Sequence, residues 1–510
     1  MNTAVLNAPL VLLLADDAAT RQLGEDIVLA LRQGDVVALS GDLGAGKSTL
    51  ARAMIRAHAD DAELEVPSPT YTLVQTYDTA PPIAHFDLYR LSHAAELDEL
   101  GFDEASEAGI VLCEWPERAP EVIAAASLNV LLSIDGAGRR AEISGTAAAI
   151  LRLQRMLAIR AFLDAIVSPV TTRRRFFGDA SPRRYESVLM DGQPALLMDA
   201  PRQTQGLPVQ DGLPYARIAH IAEDVTPFVG VAGALRAHGF AAPDVYAADL
   251  DQGLVLIEHL GDGSVLDDTG RPIPARYEAA ALMLAELHAK RWDPVLPVEG
   301  ETIHSVPDFD RRAMAIEAGL LLDWYFPRMR GEPATADERA EFGAVWSDLF
   351  DTLREAETSL VLRDLHSPNI VWRDERHGLD RIGLVDFQDA MIGPAAYDLA
   401  SLAQDARVDI APELEMRLVS SYGAARRAQG SFDAYGFERD YAIMAAQRAS
   451  KILGIFVRLD ERDGKPQYLR HIPRLKGYLA RTLGHPSLAA LKTLYSRWGL
   501  LGDDNAPETR

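Results

Sequence analysis

The sequence Asp35-Val-Val-Ala-Leu-Ser-Gly41-Asp-Leu-Gly-Ala-Gly-Lys47-Ser48 joins an apolar stretch to a glycine-rich turn, and a helical pattern over residues 49–58 follows it. It matches the spacing G-x-x-x-x-G-K-[ST] of a phosphate-binding P-loop. Glycines let successive backbone N–H groups point at a phosphate, and the positive end of the following helix adds attraction. The sequence therefore predicts a Mg²⁺–ATP site in which Lys47 bridges the β- and γ-phosphates and the Ser48 hydroxyl binds Mg²⁺. Its nucleotide-binding residues are Gly41, Asp42, Leu43, Gly44, Ala45, Gly46, Lys47, Ser48 and Thr49.

Two acidic residues end apolar stretches that follow the P-loop. Asp87 ends Ile83-Ala-His-Phe, and Glu114 ends Ile110-Val-Leu-Cys. Parallel strands place their carboxyl ends at one edge of a sheet, so we expect both acids beside the phosphates, where they can hold a metal ion and polarise water. The alternative, that either acid only caps a following helix, stays open. Strands and helices alternate from a strand over residues 9–15 onward, which predicts an α/β domain with a mostly parallel sheet over residues 1–147.

The acidic charge of the chain is concentrated near its N-terminus. Residues 1–147 carry 23 acidic and 9 basic side chains, a net charge of −14, whereas all 510 residues together carry −24. Such a surface repels phosphate backbones, so we expect no direct nucleic-acid binding. The single cysteine, Cys113, excludes an intramolecular disulfide and fits a reducing cytoplasm. The apolar residues 5–14 have no basic residue before them and are too short for a membrane span, so we expect a cytoplasmic protein without a membrane partner.

Four motifs within residues 1–145 resemble, in the same order, those of the TsaE family. They are Gly41-Asp-Leu-Gly-Ala-Gly-Lys-Ser48, Val66-Pro-Ser-Pro-Thr-Tyr-Thr-Leu73, His85-Phe-Asp-Leu-Tyr-Arg-Leu91 and Glu114-Trp-Pro-Glu-Arg118. TsaE is the ATPase subunit of the bacterial machinery that adds a threonylcarbamoyl group to tRNA adenosine beside the anticodon. The resemblance implies that Asp87 binds Mg²⁺, that Glu114 activates the attacking water and that Trp115 lies at the same nucleotide site.

The resemblance also implies a switch and partners. The segment Ser68-Pro-Thr70 takes the place of a nucleotide-responsive switch, and the companion proteins TsaB and TsaD form the complex through which tRNA is contacted. A rival hypothesis for this half is a nucleotide-gated regulatory module that stabilises its partner complex and hydrolyses little ATP alone.

A second group of polar residues lies far along the chain. Val361-Leu-Arg-Asp364-Leu-His366-Ser-Pro-Asn369 carries the D-x-x-x-x-N spacing of a kinase catalytic loop, and Asp386 ends an apolar strand 17 positions later. Phosphoryl transfer needs an acceptor for the proton of the substrate hydroxyl and ligands for the metal. We therefore predict that Asp364 is the catalytic base and that Asn369 and Asp386 bind Mg²⁺. Asp398, in the segment that follows, is expected to tether the catalytic loop.

Gln388 replaces the glycine of D-F-G and no Ala-Pro-Glu segment follows, which points away from protein kinases. The arrangement instead resembles the aminoglycoside phosphotransferase family over roughly residues 160–490. The resemblance implies a bilobal, protein-kinase-like α+β domain, with an N-lobe at 148–260 and a mostly helical C-lobe at 261–510. Several segments resemble AmgK kinases, which phosphorylate the anomeric hydroxyl of N-acetylmuramic acid and N-acetylglucosamine in cell-wall recycling: Arg183-Arg-Tyr-Glu, Leu197-Met-Asp-Ala-Pro201, Glu317-Ala-Gly-Leu-Leu-Leu-Asp-Trp-Tyr325 and Gln447-Arg-Ala-Ser-Lys-Ile-Leu-Gly-Ile-Phe456. A kinase for another small alcohol (an aminoglycoside, choline or homoserine) is the rival hypothesis.

One departure from the kinase pattern concerns the nucleotide. The strand Pro194-Ala-Leu-Leu-Met-Asp-Ala200 has no lysine, so Arg183 or Arg184 would substitute for it, and a pseudokinase is the alternative. Glu258 follows a strand at the expected hinge, where backbone groups would contact adenine. Lys451, in an apolar helix, either meets an anionic group or extends to solvent. Candidate substrate contacts, with a core role as the alternative for the Trp-Tyr pair, are Asp323, Trp324, Tyr325 and His366.

Overall fold

A computed structural model describes residues 8–91, 93, 96–166, 173–176, 183–190, 192–203 and 206–500. The chain divides into two compact units, Met1–Asp199 and Ala200–Arg510. The predicted domain limit at residue 147 falls inside the first unit. The division into an ATPase domain, a kinase N-lobe and a kinase C-lobe stays a prediction. Residues 5–7 of the apolar N-terminal stretch lie outside the described residues. Among the described residues, no helix is long and apolar enough to cross a membrane.

The first unit alternates strands and helices over most of its length, as the sequence predicts. Its elements are β1 (Leu10–Leu14), α1 (Asp17–Ala30), β2 (Val36–Ser40), α2 (Lys47–Ala59), β3 (Val74–Tyr77), β4 (Ile83–Asp87), α3 (Glu96–Glu99), α4 (Phe102–Ala108), β5 (Ile110–Glu114), α5 (Pro120–Ala125), β6 (Leu128–Asp135), β7 (Gly138–Gly145), α6 (Ala147–Asp164), β8 (Arg173–Phe176), β9 (Arg184–Met190) and β10 (Gln193–Asp199).

A seven-stranded sheet forms the frame of the first site, with the order β1-β7-β6-β2-β5-β4-β3. The four inner strands β6, β2, β5 and β4 run parallel, whereas β1, β7 and β3 pair antiparallel at the two edges. Strands β2, β4 and β5 are almost wholly buried, which explains their nearly continuous apolar sequence. The predicted mostly parallel sheet is confirmed, although the sequence interpretation missed β7.

A group of five charged side chains, of which all but Glu25 are buried, joins α1 and α6 to the antiparallel strands β8 and β9 and is called the Asp26 cluster. The cluster consists of Glu25, Asp26, Arg160, Arg173 and Glu186. Arg173 Nη1 lies 2.7 Å from Asp26 Oδ1, and Arg173 Nε lies 2.7 Å from Glu186 Oε2. Arg160 donates to both Glu25 and Asp26. Strands β8, β9 and β10 are therefore attached to the body of the first unit by ion pairs as well as by chain connectivity.

The second unit consists mainly of helices. Its elements are β11 (Pro208–Gln210), β12 (Leu213–Pro214), α7 (Tyr215–Ile218), α8 (Thr226–Ala237), β13 (Val245–Asp249), β14 (Leu254–Glu258), α9 (Pro274–Ala289), β15 (Val295–Pro297), β16 (Ile303–Ser305), α10 (Arg311–Leu320), a π-helical turn (Leu321–Tyr325), α11 (Phe326–Arg330), α12 (Ala336–Thr352), β17 (Thr358–Val361), β18 (Ile370–Trp372), β19 (Ile382–Leu384), β20 (Met391–Pro394), α13 (Ala396–Ala403), α14 (Pro412–Gln429), α15 (Ala434–Glu461), α16 (Ile472–Thr482) and α17 (Ala489–Arg497).

Two short antiparallel strand pairs position the second site. β17 pairs with β20, and β18 pairs with β19, so the loop between β17 and β18 lies beside the loop that follows β19. Helices α10, α13, α16 and the π-helical turn pack against the long, largely buried helix α15. This strand-loop core between helices agrees with the bilobal, protein-kinase-like α+β fold expected from the sequence.

Two candidate active sites

The parallel register of the first unit places Asp87 beside Glu114. Asp87 is the last residue of β4 and Glu114 is the last residue of β5, and the two form a register pair. Their exposed fractions are 3% and 2%, so both side chains lie in a largely dry environment. The P-loop leaves the adjacent strand β2 at the same edge. The expected meeting of the two acids at the carboxyl edge of the sheet is therefore observed.

The P-loop lysine lies inside its own loop. Lys47 Nζ donates to the carbonyl oxygens of Gly41 (2.6 Å) and Asp42 (2.9 Å), and it lies 3.7 Å from the centre of the Trp115 ring. Burial lowers the pKa of the Lys47 ammonium, and the nearby carboxylates, above all Glu114, partly oppose this shift. Trp115 has φ +60°, an uncommon backbone conformation for a bulky residue, and such strain is often found at functional sites. The predicted residues Lys47, Glu114 and Trp115 thus meet at one place.

Glu114 is held by two partners on opposite oxygens. Ser48 Oγ donates to Glu114 Oε2 at 2.8 Å, and His85 Nε2 lies 3.0 Å from Glu114 Oε1. His85 is 1% exposed, and its Nδ1 is buried with no partner among the described residues. The sequence interpretation missed His85, although its place two residues before Asp87 on a buried strand was a usable signal, since a histidine there is costly unless it is paired. Glu114 is fixed in orientation beside the Ser48 hydroxyl.

Asp87 binds the segment that the resemblance identified as a switch. Ser68 Oγ and Thr70 Oγ1 both donate to Asp87 Oδ2, at 2.8 and 2.9 Å. The backbone N–H of Tyr89 donates to the other carboxylate oxygen at 3.1 Å. A change in what Asp87 binds would therefore directly alter its hydrogen bonds to Ser68 and Thr70.

An arginine from an edge strand supports the phosphate loop. Arg139, on β7, donates from Nε to the carbonyl oxygen of Ala45 at 3.1 Å. Gly41 has φ +134°, and a Cβ there would lie only 2.2 Å from the carbonyl oxygen of Leu132, so only glycine fits at that position. The sequence interpretation missed Arg139 because it also missed β7.

The donor atoms in the first unit suit Mg²⁺ bound together with a phosphate. A hydroxyl and carboxylates are hard oxygen ligands, and Mg²⁺ commonly takes only one or two protein ligands and completes its shell with phosphate and water. Ser48, Asp87 and Glu114 supply such oxygens at the strand edge next to the P-loop. Within the described part of the chain, no group of three or more His, Cys, Asp or Glu residues could enclose a metal ion. The oxygen donors of Ser48, Asp87 and Glu114 thus fit a Mg²⁺ ion that is bound together with a nucleotide.

In the second unit, Asp398 holds the backbone of the catalytic loop through hydrogen bonds. Its carboxylate accepts the backbone N–H groups of Leu362 (2.6 Å) and Arg363 (2.8 Å), and it is fully buried. Arg363 has φ +72°, and these two hydrogen bonds hold the backbone in this unusual conformation. The predicted tethering role of Asp398 is confirmed.

The three predicted kinase residues lie close together. Asn369 Nδ2 donates to the carbonyl oxygen of Asp364 at 2.8 Å and lies 3.4 Å from Asp386 Oδ2. This orientation leaves Asn369 Oδ1 as an acceptor, and with the Asp386 carboxylate it forms an oxygen pair suited to Mg²⁺. Gln388, in place of the D-F-G glycine, donates to Asp386 Oδ1 at 2.9 Å. The Asp364 carboxylate itself has no hydrogen-bond partner among the described residues, so it can accept one from a substrate.

Glu317 is the centre of a buried hydrogen-bonded group next to the catalytic loop, which we call the Glu317 network. The sequence analysis considered Lys451 but did not predict its contact with Glu317. Glu317 is fully buried and accepts from Arg363, from Lys451 Nζ at 2.8 Å and from Gln447 Nε2 at 3.1 Å. Of the two alternatives for Lys451, contact with an anionic group is therefore correct. Burial by itself raises the pKa of Asp364, but Lys451, Arg363 and further cations outweigh it and hold the pKa below its ordinary value. Asp364 is thus a carboxylate at neutral pH.

His366 lies near another buried acid, Asp405. Asp405 accepts the backbone N–H of Ser367 at 2.8 Å and the hydroxyl of Tyr277 at 3.2 Å. Burial lowers the pKa of His366, and Asp405 only partly opposes this, so the imidazole is neutral at pH 7. A neutral His366 can donate or accept a hydrogen bond but supplies little charge. The sequence interpretation missed Asp405.

The remaining predicted residues are less closely connected to these groups. The Glu258 carboxylate lies 3.3 Å from Arg373 and 3.7 Å from Arg236, and its backbone N–H donates to the carbonyl oxygen of Asp244 at 2.9 Å, so the adenine contact stays a prediction. In the π-helical turn, exposed Asp323 pairs with Arg339 at 2.7 Å, Trp324 is half-buried and Tyr325 is buried. Arg184 begins β9 in the first unit and Arg183 directly precedes it, and their phosphate-holding role stays a prediction.

The two sites define a P-loop ATPase joined to a phosphotransferase. A family model described as threonylcarbamoyl adenosine biosynthesis protein TsaE matches residues 14–141, and one described as phosphotransferase enzyme family matches residues 172–437. The chain belongs to both families, to the TsaE family through its N-terminal part and to the phosphotransferase enzyme family through residues 172–437. Both families imply the use of ATP.

Each half of the chain is also similar to individual proteins of known name. An N-acetylmuramate/N-acetylglucosamine kinase of Caulobacter vibrioides is 35% identical over 359 residues, which cover 68% of this chain and 98% of the relative. A kinase of the same name from Neisseria meningitidis is 30% identical over 338 residues, covering 64% of this chain and 90% of the relative. The tRNA threonylcarbamoyladenosine biosynthesis protein TsaE of Rickettsia felis is 37% identical over 124 residues, covering 24% of this chain and 72% of the relative.

Proposed function

We propose that the chain is bifunctional: the first site couples ATP turnover to threonylcarbamoylation of tRNA, and the second phosphorylates the anomeric hydroxyl of N-acetylmuramate or N-acetylglucosamine. The similarity to TsaE supports the first activity, and the similarity to amino-sugar kinases over nearly their whole length supports the second. The cytoplasmic location expected from the sequence stays a prediction.

In the first half, Lys47 and the P-loop amides bind the phosphates of ATP, and Ser48 and Asp87 hold Mg²⁺. Glu114 orients and deprotonates the attacking water, and His85 fixes the Glu114 carboxylate. Asp87 carries the state of the nucleotide to Ser68 and Thr70, to which it is hydrogen-bonded. We propose TsaB and TsaD as the partners that read this segment and contact the tRNA, since the acidic N-terminal part repels RNA.

In the second half, the free carboxylate of Asp364 carries the proposal. It accepts the proton of the sugar hydroxyl, while Asn369 and Asp386 hold Mg²⁺ against the phosphates of ATP. Mg²⁺, when bound, neutralises charge on the transferred phosphoryl group. Asp398 keeps Asp364 in place through the loop backbone. The substrate residues Asp323, Trp324, Tyr325 and His366 remain candidates within this proposal.

The kinase assignment is tested with a substrate panel on the full-length chain, because residues 148–199 belong to the first compact unit and a fragment starting at 148 would divide it. N-acetylmuramate, N-acetylglucosamine, an aminoglycoside, choline and homoserine are each incubated with Mg²⁺ and ATP, and phosphate transfer is followed by mass spectrometry. Asp364→Asn is the matched control. Transfer to the N-acetyl sugars is expected, and transfer only to another alcohol would refute the assignment.

The ATPase assignment is tested in the Asp364→Asn background, in which kinase turnover is suppressed. Phosphate release is measured with the chain alone and with TsaB and TsaD added, and Lys47→Ala is the control. We expect release that rises with the partners and depends on Lys47. ATP binding without any Lys47-dependent release in either condition would favour a nucleotide-gated binding module instead.

A further inference from the structure

A buried arginine near the catalytic Asp364 has no ionic partner among the described residues. Arg448 lies on α15 and is only 4% exposed. Its Nε is buried without a hydrogen-bond partner, and no described residue forms an ion pair with its guanidinium. An unpaired buried charge is costly, and arginine cannot lose its proton to avoid that cost. Arg448 is therefore unusual in a protein whose other buried charges near the loop are paired.

The polar neighbours of Arg448 on the same helix have hydrogen-bond or ionic partners. Gln447 and Lys451 both bind Glu317, and Lys451 also donates to the hydroxyl of Tyr397 at 3.2 Å. Arg363 shares Glu317 and lies near Asp389, although its Nε and Nη1 also lack partners. The two oxygens of Glu317 are thus used by groups other than Arg448. Among the described residues of this region, Arg448 is the cation without a carboxylate partner.

Arg448 also lies within electrostatic reach of the reacting group. Its charge is one of those that hold the pKa of Asp364 down, and it acts on His366 as well. It nevertheless makes no hydrogen bond to the Asp364 carboxylate. A substrate whose hydroxyl meets Asp364 would therefore bring its charged substituents within the electrostatic reach of Arg448.

We propose that Arg448 binds the carboxylate of an acidic sugar substrate and so determines specificity. The planar guanidinium matches a carboxylate in a bidentate pair, which a neutral sugar cannot form. This inference rests on the proposed kinase function. Of the two proposed sugars, N-acetylmuramate carries a carboxylate on its lactyl ether, whereas N-acetylglucosamine has a free hydroxyl at that position. Arg448 therefore favours the acidic sugar, while Asp364 serves both.

The test is a cycle of two changes, one in the protein and one in the substrate. Arg448→Gln and the wild-type full-length chain are assayed with N-acetylmuramate, with its neutral methyl ester and with N-acetylglucosamine. For Arg448→Gln we expect kcat/KM to fall about a hundredfold with N-acetylmuramate, mainly through KM, and to stay within about threefold with the other two. Methylation of the substrate should lower wild-type kcat/KM by a similar factor, and the two changes together should cost no more than either alone.

Controls separate the possible failures. Arg458→Gln removes another arginine of α15, which faces the ring of Tyr215, and it should leave the preference between the sugars unchanged. Arg448→Lys keeps the charge and should lose less activity with the acidic sugar, so it provides the test if Arg448→Gln does not fold. An equal loss with all three sugars would place Arg448 in support of Asp364 or of the transferred phosphate and overturn the inference. No loss with any sugar would also overturn it, whereas a wild-type chain inactive on every sugar would refute the kinase proposal itself.

Discussion

The Asp26 cluster gives the first unit a stability that depends on pH. Burial raises the pKa of Asp26 from 3.8 to about 6, because the loss of water outweighs the attraction of Arg160 and Arg173, and Glu25 adds repulsion. A carboxyl whose pKa is higher in the folded state binds its proton more tightly there. Its contribution to stability is complete below pH 3.8 and is lost as the pH rises through 6.

The size of this effect follows from the shift. A difference of about 2.2 pKa units corresponds to about 3 kcal/mol over the full range. Between pH 4.5 and pH 7.5 the Asp26 contribution falls by about 2 kcal/mol, since part of the titration lies below pH 4.5. Asn cannot titrate, so the difference in free energy of unfolding between the wild type and Asp26→Asn should shrink by about 2 kcal/mol over this range. Titrating groups that do not interact with Asp26 cancel in the comparison.

Trp115 is the reporter for this experiment because it is the only tryptophan of the first unit. Urea unfolding of fluorotryptophan-labelled full-length protein is followed by the fluorine NMR signal of Trp115 at both pH values. Asp17→Asn, at an exposed acid of the same helix, is the matched control, and its difference from the wild type should change by less than about 0.5 kcal/mol. A difference for Asp26→Asn that is constant with pH, or that grows as the pH rises, would refute the reasoning.

Four further substitutions test the two sites. Lys47→Ala should abolish ATP hydrolysis by the first site while sugar phosphorylation continues, and loss of both activities in a folded protein would contradict independent sites. Glu114→Gln should keep ATP binding but slow hydrolysis by about 10²–10⁴-fold, measured as phosphate release with the partner proteins present; unchanged release would leave Glu114 a structural role. Asp364→Asn should lower phosphoryl transfer about a hundredfold or more with ATP affinity retained by calorimetry, and full activity on every sugar would disprove the mechanism. Asp398→Ala leaves two buried loop amides without an acceptor and should cost about 2–4 kcal/mol in the unfolding of the second unit, so a loss below 1 kcal/mol would argue against the tether.

The site residues that could be predicted from the sequence share one property: each is identified by the sequence immediately around it. Asp87 and Glu114 end apolar strands, and the topology of a parallel sheet brings such ends together without further information. Asp364 and Asn369 lie in one short loop with a fixed spacing. For these positions, a motif and its flanking strands were enough to predict the neighbourhood.

The residues that it missed depend on pairing across long stretches of chain. Glu317 and Arg363 are 46 positions apart, and nothing near either residue indicates its partner. Strand β7 was missed for a related reason, because its buried residues include Ala141 and Gly145, which give a weak apolar alternation beside charged Arg139 and Arg140. With the strand, its contact from Arg139 to the P-loop was missed as well.

The predicted domain limit and the compact unit differ because they answer different physical questions. Residues 144–149 are small and featureless in sequence, and TsaE-like motifs end before them, so a limit at 147 marks where one family ends. Compactness depends on burial, and the Asp26 cluster places Arg173 of β8 and Glu186 of β9 in the same buried network as Glu25 and Asp26 of α1. A chain cut at 148 would expose a guanidinium that is now 1% accessible and leave its carboxylate partners on separate pieces. The first strands assigned to the kinase therefore share buried ion pairs with the ATPase half, even if the two active sites work independently.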